Sequence, residues 1–562
     1  MTVGKTGAMD DTRPPGGDTA RRIADVFAGG RALAGSGLLR PIAPRRILDA
    51  GRALRHWGAT YAGGFAASAA RHPNRACVID PAGTLSWAEV DRRSDALARA
   101  LVARGVNEAS VVALLCRNNR HFIVATAALA KTGCTVLLAN TGFAGPQLRD
   151  VLDREGARLM VCDASFVPLV TNDDGSLHLD VMVADEDGPV PDGAVTLTEV
   201  IDHAPPGSRP NRPVRAGRMV ILTSGTTGTP KGAPRPQSAG IETAAAMLER
   251  IPYRDGDTVV LAAPLFHAWG FAHVGLATLL GWTMVLRPRF DPADALDDVV
   301  THHASALVVV PVMAQRMLEV AEPPSREALG SLRVTAASGS ALPGGLATEW
   351  MDRFGDNLYN LYGSTEVGWA SIATPDDLRA DPATAGRPPL GVEVRIVDEA
   401  GRRVPTGHTG RIFVGSSLTF DGYTDGRNKE ILDGLMSTGD TGRLDGAGRL
   451  RVEGRSDDMI VSGGENVFPR EVEECIEAMD GVSEAAVVGV ADDGFGQRLV
   501  AWVVRTPATT TNDGDSAVDA DAVRSHVSAT LARFKVPRDV HFCDVLPRNA
   551  TGKLLRNQLG DD

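Results

Sequence analysis

Residues 219–235 read MVILTSGTTGTPKGAPR. The apolar run from Met219 to Leu222 predicts a buried strand, and it leads directly into a loop rich in glycine, serine and threonine. Glycines let backbone N–H groups approach an anion closely, hydroxyl groups donate hydrogen bonds, and Lys231 adds a compact positive charge. The segment therefore predicts a strand followed by a loop that holds nucleotide phosphates. Taken alone, a glycine-rich surface turn is the alternative interpretation.

This loop differs from the phosphate loop of kinases and P-loop ATPases, which ends in Gly-Lys-Ser/Thr. Here Pro230 precedes Lys231 and Gly232 follows it. Lysine is also scarce in this sequence: only six of the 58 basic residues (Lys and Arg) are lysines. Lys231 and Lys553 both stand in segments rich in glycine and threonine, which suggests a specific use for the lysine ammonium at these positions.

The bulk properties exclude several classes of protein. A length of 562 residues predicts two to four domains at about 100–200 residues each. The formal net charge of −12 argues against a nucleic-acid-binding protein, whose surface would be basic. The six cysteines lie far apart without CxxC spacing, and residues 1–18 lack an apolar block. We therefore expect a cytoplasmic protein with buried, reduced thiols and no secretory signal.

The N-terminal 58 residues differ from the rest of the chain. Residues 1–18 predict a disordered tail, and residues 19–58 carry eight arginines and two aspartates among regularly spaced apolar residues. This pattern predicts basic amphipathic helices, which either lie at the surface of an anionic membrane or pack on the body of the protein.

Residues 258–286 contain no Asp, Glu, Lys or Arg and are long enough for a membrane-spanning helix. Pro264 and several glycines interrupt this segment. We instead predict a strand over 258–263, a helix from about Gly270 to Leu280, and a strand over 283–286 inside an α/β core.

From Tyr61 onward, short apolar strands alternate with amphipathic helices, a pattern typical of βαβ units. Examples are a helix from about Trp87 to Ala103 and a strand over 306–310. After Gly386 the sequence changes to short strands and glycine turns, and an α+β segment follows Gly454. The polar run from Thr506 to Asp519 predicts a surface loop.

Three further segments carry groups suited to a nucleotide. Asn360 to Glu366 (NLYGSTE) combines an aromatic ring, hydroxyls and a carboxylate that could hold Mg²⁺. Ser437 to Asp440 (STGD) and Gly454 to Asp457 (GRSD) supply an aspartate and an arginine for ribose hydroxyls. Each segment alone could equally be a capped turn.

Together these segments identify a resemblance. The chain resembles the adenylate-forming superfamily of acyl-CoA synthetases, luciferases and peptide-synthetase adenylation domains, and within it a fatty-acid CoA ligase. The resemblance runs from about residue 61 to residue 557, and its segments stand in the order of the family: Leu222–Gly232, Pro264–Gly270, Ala337–Pro343, Tyr362–Glu366, Ser437–Asp440, Gly454–Ile460, Gly463–Asn466 and Pro547–Lys553.

The resemblance implies an α/β fold with a large N-terminal domain of two stacked βαβ-type sheets plus a small β unit, followed by a mobile C-terminal α+β domain. We expect the helical extension over residues 1–58, the N-terminal domain over 59–456 and the C-terminal domain over 457–562. In this family the C-terminal domain rotates between two half-reactions, here about a hinge at Asp457.

The resemblance also implies the reaction. A small-molecule carboxylic acid attacks the α-phosphate of Mg²⁺-bound ATP to give an acyl adenylate and pyrophosphate, and the thiol of CoA then displaces AMP. Positioning and cation stabilisation suit such a transfer better than a protein base, because a carboxylate is already ionised at neutral pH.

The family's site residues transfer to matching positions of this sequence. The β- and γ-phosphates would contact Thr223, Ser224, Gly225, Thr226, Thr227, Gly228 and Lys231. Catalysis and Mg²⁺ binding would involve Thr365 and Glu366 at the α-phosphate, Lys553 between carboxylate and phosphate, and His267 near the carboxylate. Adenine, ribose and CoA would contact Tyr362, Gly339, Ser340, Asp440, Arg455, Gly464 and Glu465. For His267, a packed core histidine is the competing interpretation.

Several alternatives stay open. Small residues along Gly270–Gly281 predict a deep tunnel for a medium- or long-chain fatty acid, and aryl acids are the competing substrates. A fatty acyl-AMP ligase that feeds a carrier protein and a silent lipid-binding scaffold are further options. Amino-acid activation is disfavoured, because Phe266–Trp269 lacks the aspartate with which amino-acid adenylation domains bind the ammonium group of their substrate. The sequence does not define the oligomeric state.

Overall fold

The structure is a computed structural model that describes most of the chain. The described residues are 28–185, 188, 190, 192–207, 209–223, 231–236, 241–420, 422–424, 426, 428–455, 459–462, 465–492, 496–506, 518–531, 535–549 and 552–559.

The helices are α1 (28–35), α2 (Pro44–Trp57), α3 (Tyr61–Arg71), α4 (Trp87–Ala103), α5 (Arg120–Thr132), α6 (Gly145–Glu155), α7 (Leu197–Asp202), α8 (Ile241–Arg250), α9 (Ala268–Leu280), α10 (Pro292–Thr301), α11 (Pro311–Leu318), α12 (Gly344–Phe354), α13 (Pro375–Ala380), α14 (Pro469–Glu477) and α15 (Ala520–Thr530). Single 3₁₀ segments cover Ala164–Val170 and Arg556–Gln558.

The strands of the first half are β1 (Ala76–Asp80), β2 (Gly83–Ser86), β3 (Val111–Leu115), β4 (Thr135–Leu138), β5 (Leu159–Cys162), β6 (Asp180–Val183), β7 (Val195–Thr196), β8 (Arg218–Thr223), β9 (Lys231–Pro236), β10 (Thr258–Leu261) and β11 (Thr283–Val285). The later strands are β12 (Ala306–Val309), β13 (Val334–Ala337), β14 (Leu358–Ser364), β15 (Gly368–Ala373), β16 (Glu393–Val397), β17 (Gly410–Gly415), β18 (Ile431–Leu432), β19 (Leu435–Leu444), β20 (Leu450–Arg455), β21 (Ile460–Ser462), β22 (Glu465–Val467), β23 (Val482–Asp492), β24 (Gly496–Arg505) and β25 (Asp539–Cys543).

Two largely parallel sheets form the body of the protein and confirm the predicted α/β class. An eight-stranded sheet has the order β15-β14-β13-β12-β10-β11-β1-β2, and a seven-stranded sheet has the order β7-β6-β5-β3-β4-β8-β9. Antiparallel pairs occur only at their ends, between β1 and β2, β14 and β15, and β8 and β9 in the described residues. Strands such as β12 and β13 are buried along their whole length, as expected for parallel strands covered on both faces.

The two sheets share one core. Its buried residues include Val78 and Leu261 of the eight-stranded sheet, Leu114 and Leu138 of the other, and Phe122 of α5. Helix α4 begins with a capping box, in which the Ser86 side chain accepts from the Glu89 backbone N–H and the Glu89 carboxylate accepts from Ser86. Such reciprocal capping fixes the start of a helix, and α4 has the predicted bounds.

Asn118 joins the two sheets close to the end of β10. Its Nδ2 donates to the Leu261 and Ala263 carbonyl oxygens at 3.0 and 2.9 Å, and its Oδ1 accepts from the Leu265 N–H at 2.9 Å. The turn before α9 is thereby held by a residue that follows a strand of the opposite sheet.

Two smaller sheets follow in the chain. Strands β16-β17-β19-β18 form one five-stranded sheet with β20 paired to β19, and β22-β21-β24-β23 form another with β25 paired to β24. Helix α14 packs its buried Val472 and Ile476 in the core of the second sheet. This arrangement agrees with the expected small β unit and α+β segment, whereas the exact domain boundaries stay a prediction.

Helix α9 begins at Ala268, two residues before the predicted start, because His267 is extended and takes the N-cap position. Most cysteines are buried as expected, but Cys543 is only half-buried. The predicted loop over Thr506–Asp519 falls mostly outside the described residues. Within the described residues, no helix has the length and apolar character needed to cross a bilayer.

Candidate active site

A single cavity of about 2700 Å³ runs between the large body and the C-terminal residues. Small-molecule pockets usually measure about 300–1,000 Å³, so this cavity has room for several ligands. Nine of the predicted site residues line it together: His267, Gly339, Ser340, Tyr362, Thr365, Glu366, Asp440, Arg455 and Lys553. Residues almost 300 positions apart in the sequence thus share one site.

Other predicted site residues cannot be placed in this cavity. Ser224, Gly225, Thr226, Thr227, Gly228, Asp457 and Gly464 lie outside the described residues. The backbone of Thr223 pairs with that of Lys231 in the β8–β9 hairpin. The side chains of Thr223, Lys231 and Glu465 also lie outside the description.

Antiparallel pairing brings Asp440 and Arg455 together, since Asp440 of β19 stands directly opposite Arg455 of β20. Arg455 Nη1 lies 3.8 Å from Asp440 Oδ1, and the Tyr362 hydroxyl donates to Asp440 Oδ2 at 2.5 Å. A carboxylate, a guanidinium and a phenol ring therefore converge at one wall of the cavity. A carboxylate is a suitable acceptor for paired sugar hydroxyls, and the ring provides a flat surface for a base.

Burial controls the ionisation of this wall. Desolvation raises the pKa of Asp440 above its ordinary value, although the hydrogen bond from Tyr362 and the charges of Arg455, Lys429 and Lys553 oppose the rise. Burial, and then the Asp440 charge, raise the pKa of Tyr362 well above its ordinary value. The phenol is thus a permanent hydrogen-bond donor to the carboxylate.

Glu366 is held in its ionised form. The Tyr423 hydroxyl donates to Glu366 Oε1 at 2.6 Å, and the Glu366 N–H donates to Ser364 Oγ at 3.2 Å. Burial acts to raise the pKa of Glu366, but the hydrogen bonds from Tyr423 and Ser364 and the charge of Lys429 outweigh it, so this pKa is lowered. The cavity therefore contains a carboxylate that is anionic at neutral pH.

Sequence reasoning missed Tyr423 and Lys429 as members of this site, although both line the cavity. Lys429 and Arg455 converge beside Gly439, where an added Cβ would lie 3.6 Å from Lys429 Nζ and 3.2 Å from Arg455 Nη2. The scarcity of lysine was the available signal for Lys429. Nothing in the local sequence marks Tyr423.

The turn held by Asn118 places His267 at the N-terminus of α9, on the cavity wall. Desolvation lowers the pKa of His267 to about 4, so its imidazole is neutral at physiological pH. Trp269 is buried, and its Nε1–H donates to the Val309 carbonyl oxygen at 3.0 Å. A neutral imidazole can donate a hydrogen bond to a substrate carboxylate without forming an ion pair.

Helices α3 and α9 extend the cavity away from His267. They run side by side in the same direction, because Tyr61 contacts Phe271 at one end and the Arg71 guanidinium donates to the Leu279 carbonyl oxygen at the other. Both Ala268 and Leu279 line the cavity. At 1.5 Å per helical residue, this wall is about 16 Å long.

The C-terminal residues bring Lys553 to the cavity on a tight hairpin. The Asn549 N–H donates to the Lys553 carbonyl oxygen, and the Gly552 N–H donates to the Asn549 carbonyl oxygen, both at 2.9 Å. Gly552 has a φ of +77°, and a Cβ at this position would lie 2.7 Å from Val312 Cγ1 of α11. The hairpin therefore docks on α11 through a glycine that admits no side chain.

Further contacts hold the C-terminal residues in this pose. Arg451 of β20 pairs with Glu474 of α14 at 3.1 Å, and Gln315 Nε2 of α11 donates to Glu484 Oε1 at 3.4 Å. The positive charge of Lys553 is near enough to act on the pKa of Asp440. The described pose thus places Lys553 in the lining of the cavity, near enough for its charge to act on Asp440.

The chemistry of these donors fits a nucleotide with a divalent cation. Mg²⁺ in nucleotide sites commonly takes one or two protein carboxylates together with phosphate oxygens and waters, and the anionic Glu366 can supply such a carboxylate. The described residues hold no cluster of three or more His, Cys, Asp or Glu that could bind a metal ion by protein side chains alone.

Comparisons with known proteins match both the large body and the C-terminal residues of this chain. The profile of the AMP-binding enzyme family matches residues 65–424, and the profile of the AMP-binding enzyme C-terminal domain matches residues 471–553. The chain is similar to indoleacetate–CoA ligase of Aromatoleum aromaticum, with 32% identity over 87% of this chain and 95% of the relative. It is also similar to 2-succinylbenzoate–CoA ligase of Geobacillus kaustophilus, with 32% identity over the same shares. Among solved structures, ATP-bound MatB from Rhodopseudomonas palustris superimposes with a TM-score of 0.77 and 28% identity, covering 89% of this chain and 98% of that one.

Proposed function

The chain belongs to the AMP-binding enzyme family, and from this membership we propose that it joins a large apolar carboxylic acid to CoA at the expense of ATP, which is converted to AMP and pyrophosphate. The observation that carries the proposal is the meeting of Lys553, Glu366 and Asp440 with the neutral His267 in one cavity. The sequences of CoA ligases resemble this chain over nearly their whole length.

In the first half-reaction, a carboxylate oxygen of the acid attacks the α-phosphorus of ATP. A new acyl–phosphate bond forms, and the bond to pyrophosphate breaks. Tyr362, Asp440 and Arg455 hold the nucleoside. Glu366 would supply an oxygen ligand to Mg²⁺, whose charge would offset that of the phosphates. Lys553 stabilises the charge that develops between the carboxylate and the α-phosphate, as cations do in phosphoryl transfer.

In the second half-reaction, the thiolate of CoA attacks the acyl carbonyl. A thioester forms, and AMP leaves. Lys553 has no task in this step, so we propose that the C-terminal residues leave the described pose about Asp457 and that Gly464 and Glu465 then line the path of CoA. The contacts between Arg451 and Glu474 and between Gln315 and Glu484 would break in this movement.

Two classes of acid remain candidates, each favoured by a different observation. The wall of about 16 Å that α9 forms beside α3 favours a medium- or long-chain alkyl acid, because this wall is longer than one aromatic ring. The two similar ligases from Aromatoleum aromaticum and Geobacillus kaustophilus are named for aromatic acids, which favours an aryl substrate. A separate alternative concerns the acyl acceptor: an acyl-AMP ligase would transfer its product to a carrier protein instead of CoA.

The test is CoA-dependent AMP formation with acids from acetate to long-chain fatty acids, together with aryl acids such as indoleacetate. We expect thioester formation with large apolar acids and no adenylation by Lys553→Ala, whereas Lys535→Ala, which removes a lysine paired with Glu471, should keep full activity. Pyrophosphate release without a thioester would identify an acyl-AMP ligase. No turnover with any acid would refute the proposed function.

A further inference from the structure

Helix α2 and the segment before it carry exposed basic and apolar residues that the ligation chemistry leaves unexplained. We call this surface the basic-apolar face and define it by Leu39, Arg40, Ile47, Leu48 and Arg55, all of which are exposed. The exposed fractions of Leu39, Leu48 and Ile47 are 71%, 61% and 54%. Within the part of the chain that the structure describes, the exposed leucines are Leu39, Leu48 and Leu54, so exposed leucine is confined to this region.

Helix α2 has apolar residues on two sides. Ala50, Ala53 and Trp57 are buried and attach the helix to the body. Ile47 and Leu54 are seven residues apart and therefore lie together on another side, which is open to solvent. Core packing accounts for the first side, whereas Ile47 on the second side is 54% exposed.

The charge of this region is opposite to that of the protein as a whole. Residues 28–57 contain six arginines and one aspartate, whereas the whole chain has a net charge of −12. Arginines with long apolar stems beside exposed leucine and isoleucine match the interface of an anionic membrane, where the apolar groups enter the lipid and the guanidinium groups contact headgroups.

A second copy of the chain fits this surface less well. A twofold interface would place the same patch on both partners and bring positive charges face to face. Nucleic acid would pair with the arginines but would leave the exposed leucines in water. The combined charge and apolar character therefore favour anionic lipid.

The cavity opens beside this face. Leu54 is 44% exposed and also lines the cavity that contains His267. An apolar acid dissolved in a bilayer could thus pass along α3 and α9 to the nucleotide without crossing water.

We propose that the basic-apolar face docks the enzyme reversibly on anionic phospholipid membranes and that a membrane-dissolved acid enters the cavity there. The docking stands on the surface alone, and the acid entry rests on the proposed function.

The docking test uses the full-length protein and sedimentation with vesicles of phosphatidylcholine, with or without phosphatidylglycerol. We expect binding only to the anionic vesicles, with a partition coefficient that falls as salt is added. Ile47→Ser/Leu48→Ser and Arg40→Ala/Arg55→Ala should each lower this coefficient at least tenfold. Val214→Ser and Arg402→Ala, which alter exposed side chains elsewhere, should leave it unchanged.

A wild-type protein that stays in the supernatant would overturn the docking proposal, as would equal losses in the control variants. A change of the sedimentation coefficient in Ile47→Ser/Leu48→Ser with unaltered vesicle binding would instead assign the face to a second copy of the chain.

A second measurement separates this inference from the proposed function. The acid is supplied either in solution or dissolved in the vesicles, and thioester formation is followed. Ile47→Ser/Leu48→Ser should slow turnover only with vesicle-borne acid. Equal rates for variant and wild type in both formats would refute the entry route, whereas vesicle binding without any turnover would refute the proposed function alone.

Discussion

Replacing Gly552 by alanine should separate the two half-reactions. The φ of +77° at Gly552 lies in the left-handed region, where a side chain costs about 1–2 kcal/mol. The new Cβ would also stand 2.7 Å from Val312 Cγ1, whereas carbon atoms pack at about 3.5–4.0 Å. The hairpin that carries Lys553 must therefore retreat from α11 by about 1 Å.

A misplacement of about 1 Å in a positioning group can cost about 100-fold in rate. We expect Gly552→Ala to lower the rate of pyrophosphate release by about that factor. Transfer from a chemically prepared acyl adenylate to CoA should change little, because Lys553 has no task in that step.

Gly105→Ala is the matched control for backbone strain. Gly105 has a φ of +89° but no heavy atom within 4 Å of an added Cβ. Its alanine variant should lose some stability and keep both half-reactions. An unchanged rate of pyrophosphate release in Gly552→Ala, or an equal loss in both half-reactions, would refute the docking of the hairpin as the cause.

Three further predictions concern ionisation. Tyr423→Phe removes a hydrogen bond that lowers the pKa of Glu366, so the acidic limb of the pH–rate profile for pyrophosphate release should move to higher pH; an unmoved limb would contradict this role. Asp440→Asn should weaken ATP binding about tenfold or more in calorimetry, since a hydrogen bond to a charged group contributes about 1.5–3 kcal/mol. The Tm of this variant should not fall, because burial already disfavours the charge of Asp440. Burial lowers the pKa values of His267 and His273 to about 4, whereas the unfolded chain binds these protons near about 6.5. The unfolded state therefore holds more protons between these values, so Tm should fall as pH drops from about 6.5 towards 4, and a flat Tm over this window would contradict the assignment.

Much of the fold could be predicted because its signals are local. The apolar spacing of residues 87–103 predicted a helix with the observed bounds, and the structure shows that a capping box of Ser86 and Glu89 fixes its start. The fully apolar run 306–310 predicted a strand of the sheet, and the structure has a fully buried strand at Ala306–Val309. The start of α9 was wrong by two residues, because His267 takes an extended conformation that its residue type does not specify.

The site could be predicted only where a segment resembled a family motif. Asp440 and Arg455 were found in this way, and their direct opposition across β19 and β20 supports the pairing. Tyr423 reaches Glu366 from a segment 57 residues away, so its part depends on tertiary packing that local sequence does not reveal. The exposure of Ile47 likewise depends on which side of α2 meets the body.

The role of Asn118 bears on how acid preference can change over evolution. Asn118 fixes the turn before α9 from the opposite sheet, and α9 itself forms the cavity wall along which we propose that the acid lies. Substitutions on this wall can reshape the acid pocket while the turn at His267 keeps its place. Substrate choice and adenylation chemistry are therefore free to diverge separately in descendants of one gene, and a handful of changes in α3 and α9 should suffice to retarget the enzyme.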